Sequence, residues 1–337
     1  TEVDLELWDS HFLDKPVSNM NMSLFYDKGR YSLYGLHLNT PYATVGAEGE
    51  GNLRGNNLLK FEFLPKNMRG LTEVMHLPDA DLKGAVNGEV SGKVDSMNLS
   101  VQYDLSSIEY DSLRIKRLKG DLSAFSGDSL LTGKFDSLSL SARYNLSSIE
   151  YDSLRIESFR GGVSASSKDS LVNGQVDFTA DSSFWGNRFI KRVALHSSYD
   201  KDEFTNRLDL KLNDSLNLFT QTNLNLENDP LFRIYDLNLN IDSTHWTAGS
   251  DSTTFTLGKD SIQIANFVLQ SGGQELGVNG IYSFKGREDL HLWIEGLDLS
   301  KLYPLKGLDY KLQGIVNSDV QMNGTASKPE IRGFLDV

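Results

Sequence analysis

The chain has 337 residues, 39% of them hydrophobic and 10% aromatic, and 46 acidic residues against 33 Lys and Arg give it a formal charge of −13. Apolar content on that scale supports a large buried surface and excludes a disordered chain. A negative balance without clustered Lys and Arg excludes the nucleic-acid phosphate backbone as a ligand, and the absence of cysteine excludes disulfides, thiolate nucleophiles and thiolate-bound metals.

Thr1 opens onto the alternating Val3, Leu5 and Leu7, a strand pattern and not a signal peptide. No apolar run approaches the roughly 20 residues that span a bilayer, so a membrane anchor is expected outside this chain. Gly46, Gly49, Gly51 and Gly55 lack the spacing of a phosphate loop and have no helix after them, so they read as a bend or a run of bulges. Lys66 to Leu77, between Pro65 and Pro78, has helix-like spacing of Leu and Met and predicts a short cap; Asp298 to Leu305, around Pro304, predicts a second.

From Gly92 the sequence repeats after 41 residues: Gly92-Lys-Val-Asp-Ser96 returns as Gly133-Lys-Phe-Asp-Ser137, and Leu105 to Ile115 returns unchanged as Leu146 to Ile156. A third, fainter copy is expected from Gly174, with Ile190 and Leu195 in the places of Ile149 and Leu154. Repeats of this kind stack in one dimension, each burying its apolar face against its neighbours. The dominant period is two, as in Leu138-Ser-Leu-Ser-Ala-Arg-Tyr144, Leu208-Asp-Leu-Lys-Leu212 and Leu237-Asn-Leu-Asn-Ile241. That alternation predicts half-buried antiparallel strands in an all-β fold. Asn-Gly pairs at 87, 173, 279 and 323, and Asp-Ser pairs at 111, 128, 136, 152 and 169, predict the turns of a meander with strands of about 6–10 residues.

A sheet with one apolar face must cover it, either as a sandwich filled by its own side chains or by curling round a ligand. In the curled case Met97, Leu99, Val101, Tyr103, Leu113 and Ile115 line the interior with their repeat counterparts Leu138, Leu140, Ala142, Tyr144, Leu154 and Ile156, while Ser139, Ser141 and Arg143 face water. Tyr103 and Tyr144 are candidates for a polar rim, against the ordinary reading that tyrosines on strands simply pack. The histidines His11, His37, His76, His196, His245 and His291 are scattered singly, and the turn aspartates are explained by their side chains bonding the backbone two residues on. No catalytic, cofactor-binding or metal-binding set is expected, and the chain reads as non-enzymatic.

Leu82-Lys-Gly84-Ala-Val86-Asn-Gly88 is echoed by Leu312-Gln-Gly314-Ile-Val316-Asn-Ser318, after which the second copy continues through Gly324-Thr325, a polar spacer, Pro329 and Gly333. This order of strand, G-x-V, strand, G-T, spacer, P and G-x-L resembles the repeating signature of the AsmA/TamB-like family, and the Asp-Ser-Leu turns resemble its Bacteroidetes-type members. The full signature occurs once, since the first copy lacks the proline. The resemblance implies an elongated antiparallel sheet curled into an open groove, the β-taco, with one or two short helical caps. It divides the chain into a first groove segment with a flap near 66–77 (1–90), a repeat region (91–200) and a closing groove segment that carries the motif (201–337). It further implies part of a periplasmic protein anchored to the inner membrane of a Gram-negative envelope, holding phospholipid acyl chains in the groove between two membranes and partnered by an outer-membrane barrel protein of the BamA/TamA type. The alternative is a scaffold that offers sheet edges to assembling outer-membrane strands by β-augmentation.

Overall fold

The computed structural model describes residues 1–12, 15–66, 68, 81–93, 95–127, 137–168, 171–226, 229–249, 253–301, 313–325 and 328–337. The expected caps fall mostly outside these residues; of the second, Leu299–Lys301 form a short 3₁₀ turn after a strand end. The fold is all-β and antiparallel. Contacts group the chain into two units, Thr1–Arg188 and Phe189–Val337, whereas the division at 90 and 200 follows sequence phrases.

Unit 1 is a meander in which each strand pairs with the next: β1 (Glu2–Phe12), β2 (Lys15–Asp27), β3 (Arg30–Asn39), β4 (Ala43–Asn52), β5 (Asn56–Pro65), β6 (Asp81–Lys93), β7 (Ser96–Tyr110), β8 (Leu113–Gly127), β9 (Ser137–Tyr151), β10 (Leu154–Lys168) and β11 (Leu171–Trp185). Unit 2 continues the pattern with β12 (Arg188–Asp200), β13 (Glu203–Lys211), β14 (Leu216–Asn225), β15 (Leu231–Ile241), β16 (Thr244–Ala248), β17 (Thr253–Leu257), β18 (Ser261–Ser271), β19 (Gln274–Ser283), β20 (Arg287–Asp298), β21 (Ile315–Thr325) and β22 (Lys328–Asp336). Here β16 and β17 share one lane between β15 and β18.

The exact repeat forms two hairpins of equal build. In β7–β8 and β9–β10 every strand has 15 residues, and the turns are Asp111-Ser112 and Asp152-Ser153, each Asp in the left-handed region at φ 51° and 49°. Asp tolerates that conformation better than most residues, which suits it to a two-residue hairpin. The third copy departs from the expected frame. Its turn follows Trp185 at Gly186 (φ 58°), so Ile190 lies on the second strand of its hairpin, where Ile149 lies on the first. The hairpins align on Ser107, Ser148 and Ser182, each four residues before its turn and each at positive φ.

The Asn-Gly pairs overturn another expectation. Asn87-Gly88, Asn173-Gly174, Asn279-Gly280 and Asn323-Gly324 all lie within strands, of 13, 15, 10 and 11 residues, three of them longer than the 6–10 expected. At Gly280 (φ 121°) an added Cβ would sit 1.9 Å from the Asp289 carbonyl oxygen, so glycine is required by close approach of the next strand and not by a turn. Gly88 lies under the ring of Phe61, directly opposite on β5. The same device recurs as Tyr103 over Gly120, Tyr144 over Gly161 and Trp293 over Gly277, a ring covering the glycine across the ladder. The Gly46–Gly51 stretch runs straight through β4; the bulge lies opposite, at Tyr34-Gly35 of β3.

A compact 37.6 kDa chain exposes about 13,800 Å², and two separate compact halves about 16,600 Å². This chain exposes 21107 Å², so much of its sheet surface is uncovered.

Candidate functional site

The twelve predicted lining residues lie on β7, β8, β9 and β10, and the ladder places them in rows. Leu99 stands opposite Ala124, Ala124 opposite Leu140 and Leu140 opposite Ala165; one row further, Val101, Leu122, Ala142 and Val163 align. Directly opposed residues share a face, so each row is a band of apolar side chains across four strands.

Strict alternation would break these bands near the hairpin turns, because the apolar series changes parity: Met97 to Leu105 are odd in β7, whereas Ile108 and Tyr110 are even. The left-handed Ser107 and Ser148 sit at the change. On the partner strands two polar residues intervene, Lys116-Arg117 and Glu157-Ser158. Leu105 pairs with Leu118 before Ser107 and Ile108 with Ile115 after it, so the ladder skips Ser107 and Lys116 and the register is kept. A residue in the left-handed region interrupts the pleat, and with Ser107 and Ser148 at the parity change Ile108, Ile115, Ile149 and Ile156 come into phase with the apolar face. Elsewhere register-shifting bulges at Leu33/Leu36, Ile264/Phe267 and Ile294/Leu297 reset the phase.

None of the twelve is buried; Leu138 and Leu140 are 44% and 38% exposed. Among the described residues no second layer of side chains buries this face. The tyrosines serve packing: the Tyr103 hydroxyl donates to the Arg143 carbonyl at 2.9 Å and the Tyr144 hydroxyl to the Asp177 carbonyl at 3.4 Å. Tyr144, Phe159 and Phe178 stack at 5.6 and 5.5 Å. Burial first, then the nearby Asp121 and Asp177 respectively, pushes both phenols above their ordinary pKa, so they stay neutral.

The opposite face is charged and wet. Arg117 grips Asp104 through two hydrogen bonds of 2.8 and 2.6 Å, Arg143 pairs with Asp121 and Arg160 with Asp181. The Arg117 hydrogen bond holds the Asp104 carboxyl below the usual range. Shallow depressions of about 610, 550 and 390 Å³ have polar rows for walls, including Glu48, Lys60 and Glu89 in the first and Ser100, Ser123, Ser141 and Ser164 in the second.

Unit 2 differs. Ile241, the last residue of β15, and Trp246, in the middle of β16, pack with Leu297 and Val316 of β20 and β21 into a core that Leu239, Leu269 and Leu276 flank. Strands three or more lanes apart meet there, so the sheet closes on its own apolar face at that end. No protein-family model, curated protein or solved structure matches the chain.

The motif residues form the β21–β22 hairpin and its approach. Gly324 (φ 99°) pairs with Pro329 and has no room for a Cβ, which would lie 2.4 Å from the Lys328 carbonyl oxygen; Thr325 pairs with Lys328 to close the ladder. Gly333 admits the Asp319 carbonyl, and the Gly314 carbonyl accepts from Leu299 N–H at 3.0 Å. These positions shape the backbone of the hairpin. Among the described residues no three His, Asp or Glu side chains are grouped to hold a metal.

Alternation alone did not locate two elements of the site: the phase resets, visible in sequence only as paired polar residues between apolar ones, and the ring-over-glycine pairs, which join residues distant in the chain.

Proposed function

We propose that the apolar face of β7–β10 holds acyl chains of phospholipid, as a portion of a periplasmic lipid-transport protein of the kind the AsmA/TamB-like resemblance implies, without enzymatic chemistry of its own. The observation that carries this reading is a continuous apolar band in which none of the twelve side chains is buried. An uncovered patch of that extent calls for a ligand or partner. Each methylene moved from water onto such a face contributes about 0.8 kcal/mol, so an acyl chain of roughly 16 carbons is held by several kcal/mol without a specific polar contact. Equivalent rows on successive strands offer similar affinity at each step, so a chain can slide. The inner-membrane anchor and an outer-membrane barrel partner belong to this proposal on the resemblance alone.

A second reading, a scaffold that pairs with an assembling strand, draws on β22, exposed at all nine residues and, among the described residues, paired on one side by β21. Native mass spectrometry of the purified chain with lipid extraction separates the two. More than one phospholipid per chain is the expected result; a folded, lipid-free chain favours the scaffold.

A further inference from the structure

The apolar face of β7–β11 ends on a row of rings. Tyr110 pairs with Leu113, Leu113 with Tyr151, Tyr151 with Leu154 and Leu154 with Trp185, so five strands carry this row at their turn ends. The row directly inside it, Ile108, Ile115, Ile149 and Ile156, leads along the same face toward Leu99 and Leu140. Tyr110, Tyr151 and Trp185 are 45%, 49% and 69% exposed, and at a strand spacing of about 4.8 Å successive rings stand roughly 10 Å apart. Among the described residues nothing hydrogen-bonds their two hydroxyls or the indole N–H, unlike the hydroxyls of Tyr103 and Tyr144.

Two further features set this end apart. Trp185 stands three residues after Ser182, as Tyr110 and Tyr151 stand after Ser107 and Ser148, so even the faint third copy keeps an amphipathic ring at this place. At the opposite end of the same strands the terminal residues are Ser96, Gly127, Ser137, Lys168 and Leu171, none of them aromatic. Tyr and Trp join an apolar body to a polar tip and therefore favour the boundary between hydrocarbon and water. The charges beside the rings nearly cancel, with Glu109, Asp111, Glu150 and Asp152 against Arg114, Arg155 and Arg188, and the whole chain stands at −13. Such a surface fits a zwitterionic bilayer and gains nothing from an anionic one.

We infer that the row of Tyr110, Tyr151 and Trp185 docks on the surface of a zwitterionic phospholipid bilayer, with the rings at head-group depth, so that acyl chains pass from the bilayer onto the apolar face behind them. The inference deepens the acyl-chain reading and rests on it for its purpose. Its driving force is burial of the rings at the boundary, which scales with the apolar area removed from water.

The full chain is floated with phosphatidylcholine vesicles on a density gradient beside a triple variant, Tyr110→Ser, Tyr151→Ser and Trp185→Ser, whose folding is checked by thermal melt. The unaltered chain is expected to float and the triple variant to bind roughly tenfold more weakly. Tyr110→Trp combined with Tyr151→Trp should bind at least as well as the unaltered chain, and added phosphatidylglycerol should not strengthen binding. Leu140→Arg, whose defect lies in lipid uptake, should still float. A chain that stays off phosphatidylcholine vesicles, floats only with phosphatidylglycerol, or floats equally well without the three rings overturns the inference, as does loss of flotation in Leu140→Arg. The acyl-chain reading is judged separately, on uptake of monomeric lysophosphatidylcholine by the unaltered chain; docking without that uptake overturns the acyl-chain reading and leaves the docking surface in place.

Discussion

Leu140→Arg should abolish lipid uptake by the β7–β10 face while changing thermal stability by no more than about 0.5–1 kcal/mol, the range of surface substitutions. Leu140 is 38% exposed and stands between Ala124 and Ala165, so a longer side chain has room, and its guanidinium can reach water. A charge in the middle of the band then interrupts the apolar path that an acyl chain needs. The matching substitution in unit 2, Ile241→Arg, should behave in the opposite way. Ile241 is 3% exposed within the core of Trp246, Leu297 and Val316, and an unpaired charge there should cost more than about 4 kcal/mol and unfold the unit. Thermal melts with lipid quantification check both; if the two variants are equally destabilised, the β7–β10 face is a filled core.

The second large effect concerns the rings over glycines. Gly120→Val and Gly161→Val should each destabilise by roughly 1–3 kcal/mol, as expected for overpacking. At Gly120 a Cβ would lie 2.0 Å from the Arg143 carbonyl oxygen and 2.4 Å from the Tyr103 hydroxyl; at Gly161 it would lie 2.0 Å from the Asp177 carbonyl oxygen. Either strand or ring must move, and with it the hydrogen bond that ties Tyr103 or Tyr144 to the neighbouring strand. Gly35, with nothing within 4 Å of its Cβ position, is the control, and Gly35→Ala should be close to neutral. Chemical denaturation gives the comparison, and equal losses at Gly35 and Gly120 would contradict the packing role.

Much of the architecture was legible because period two is a local property. Leu138 to Tyr144 alternate, and the resulting face is where the ladder places them. The Asp111 and Asp152 turns were legible for a similar reason, since a two-residue hairpin demands a residue tolerant of positive φ. Asn-Gly misled because the same dipeptide serves a second physical need: in Gly280 and Gly324 the missing Cβ admits a neighbouring carbonyl, a contact with a residue that local sequence does not announce. The third repeat misled because identity at Ile190 outweighed the turn at Gly186, which shortens the hairpin frame. The contrast between an open face at Leu140 and a filled one at Ile241 was not legible either. Both sit in equally alternating strands, and only the closure of β15 and β16 onto β20 and β21 distinguishes them.

The most direct test of the central claim is face-resolved photocrosslinking. A benzophenone side chain is placed singly at Leu99, Leu140, Ser100 and Ser141, the chain is loaded with phospholipid, and crosslinked lipid is counted by mass spectrometry. Lipid adducts at Leu99 and Leu140 with background levels at Ser100 and Ser141 are the predicted result. Equal labelling of the two faces, or labelling confined to the serine face, would contradict an acyl-chain site on the apolar side of β7–β10.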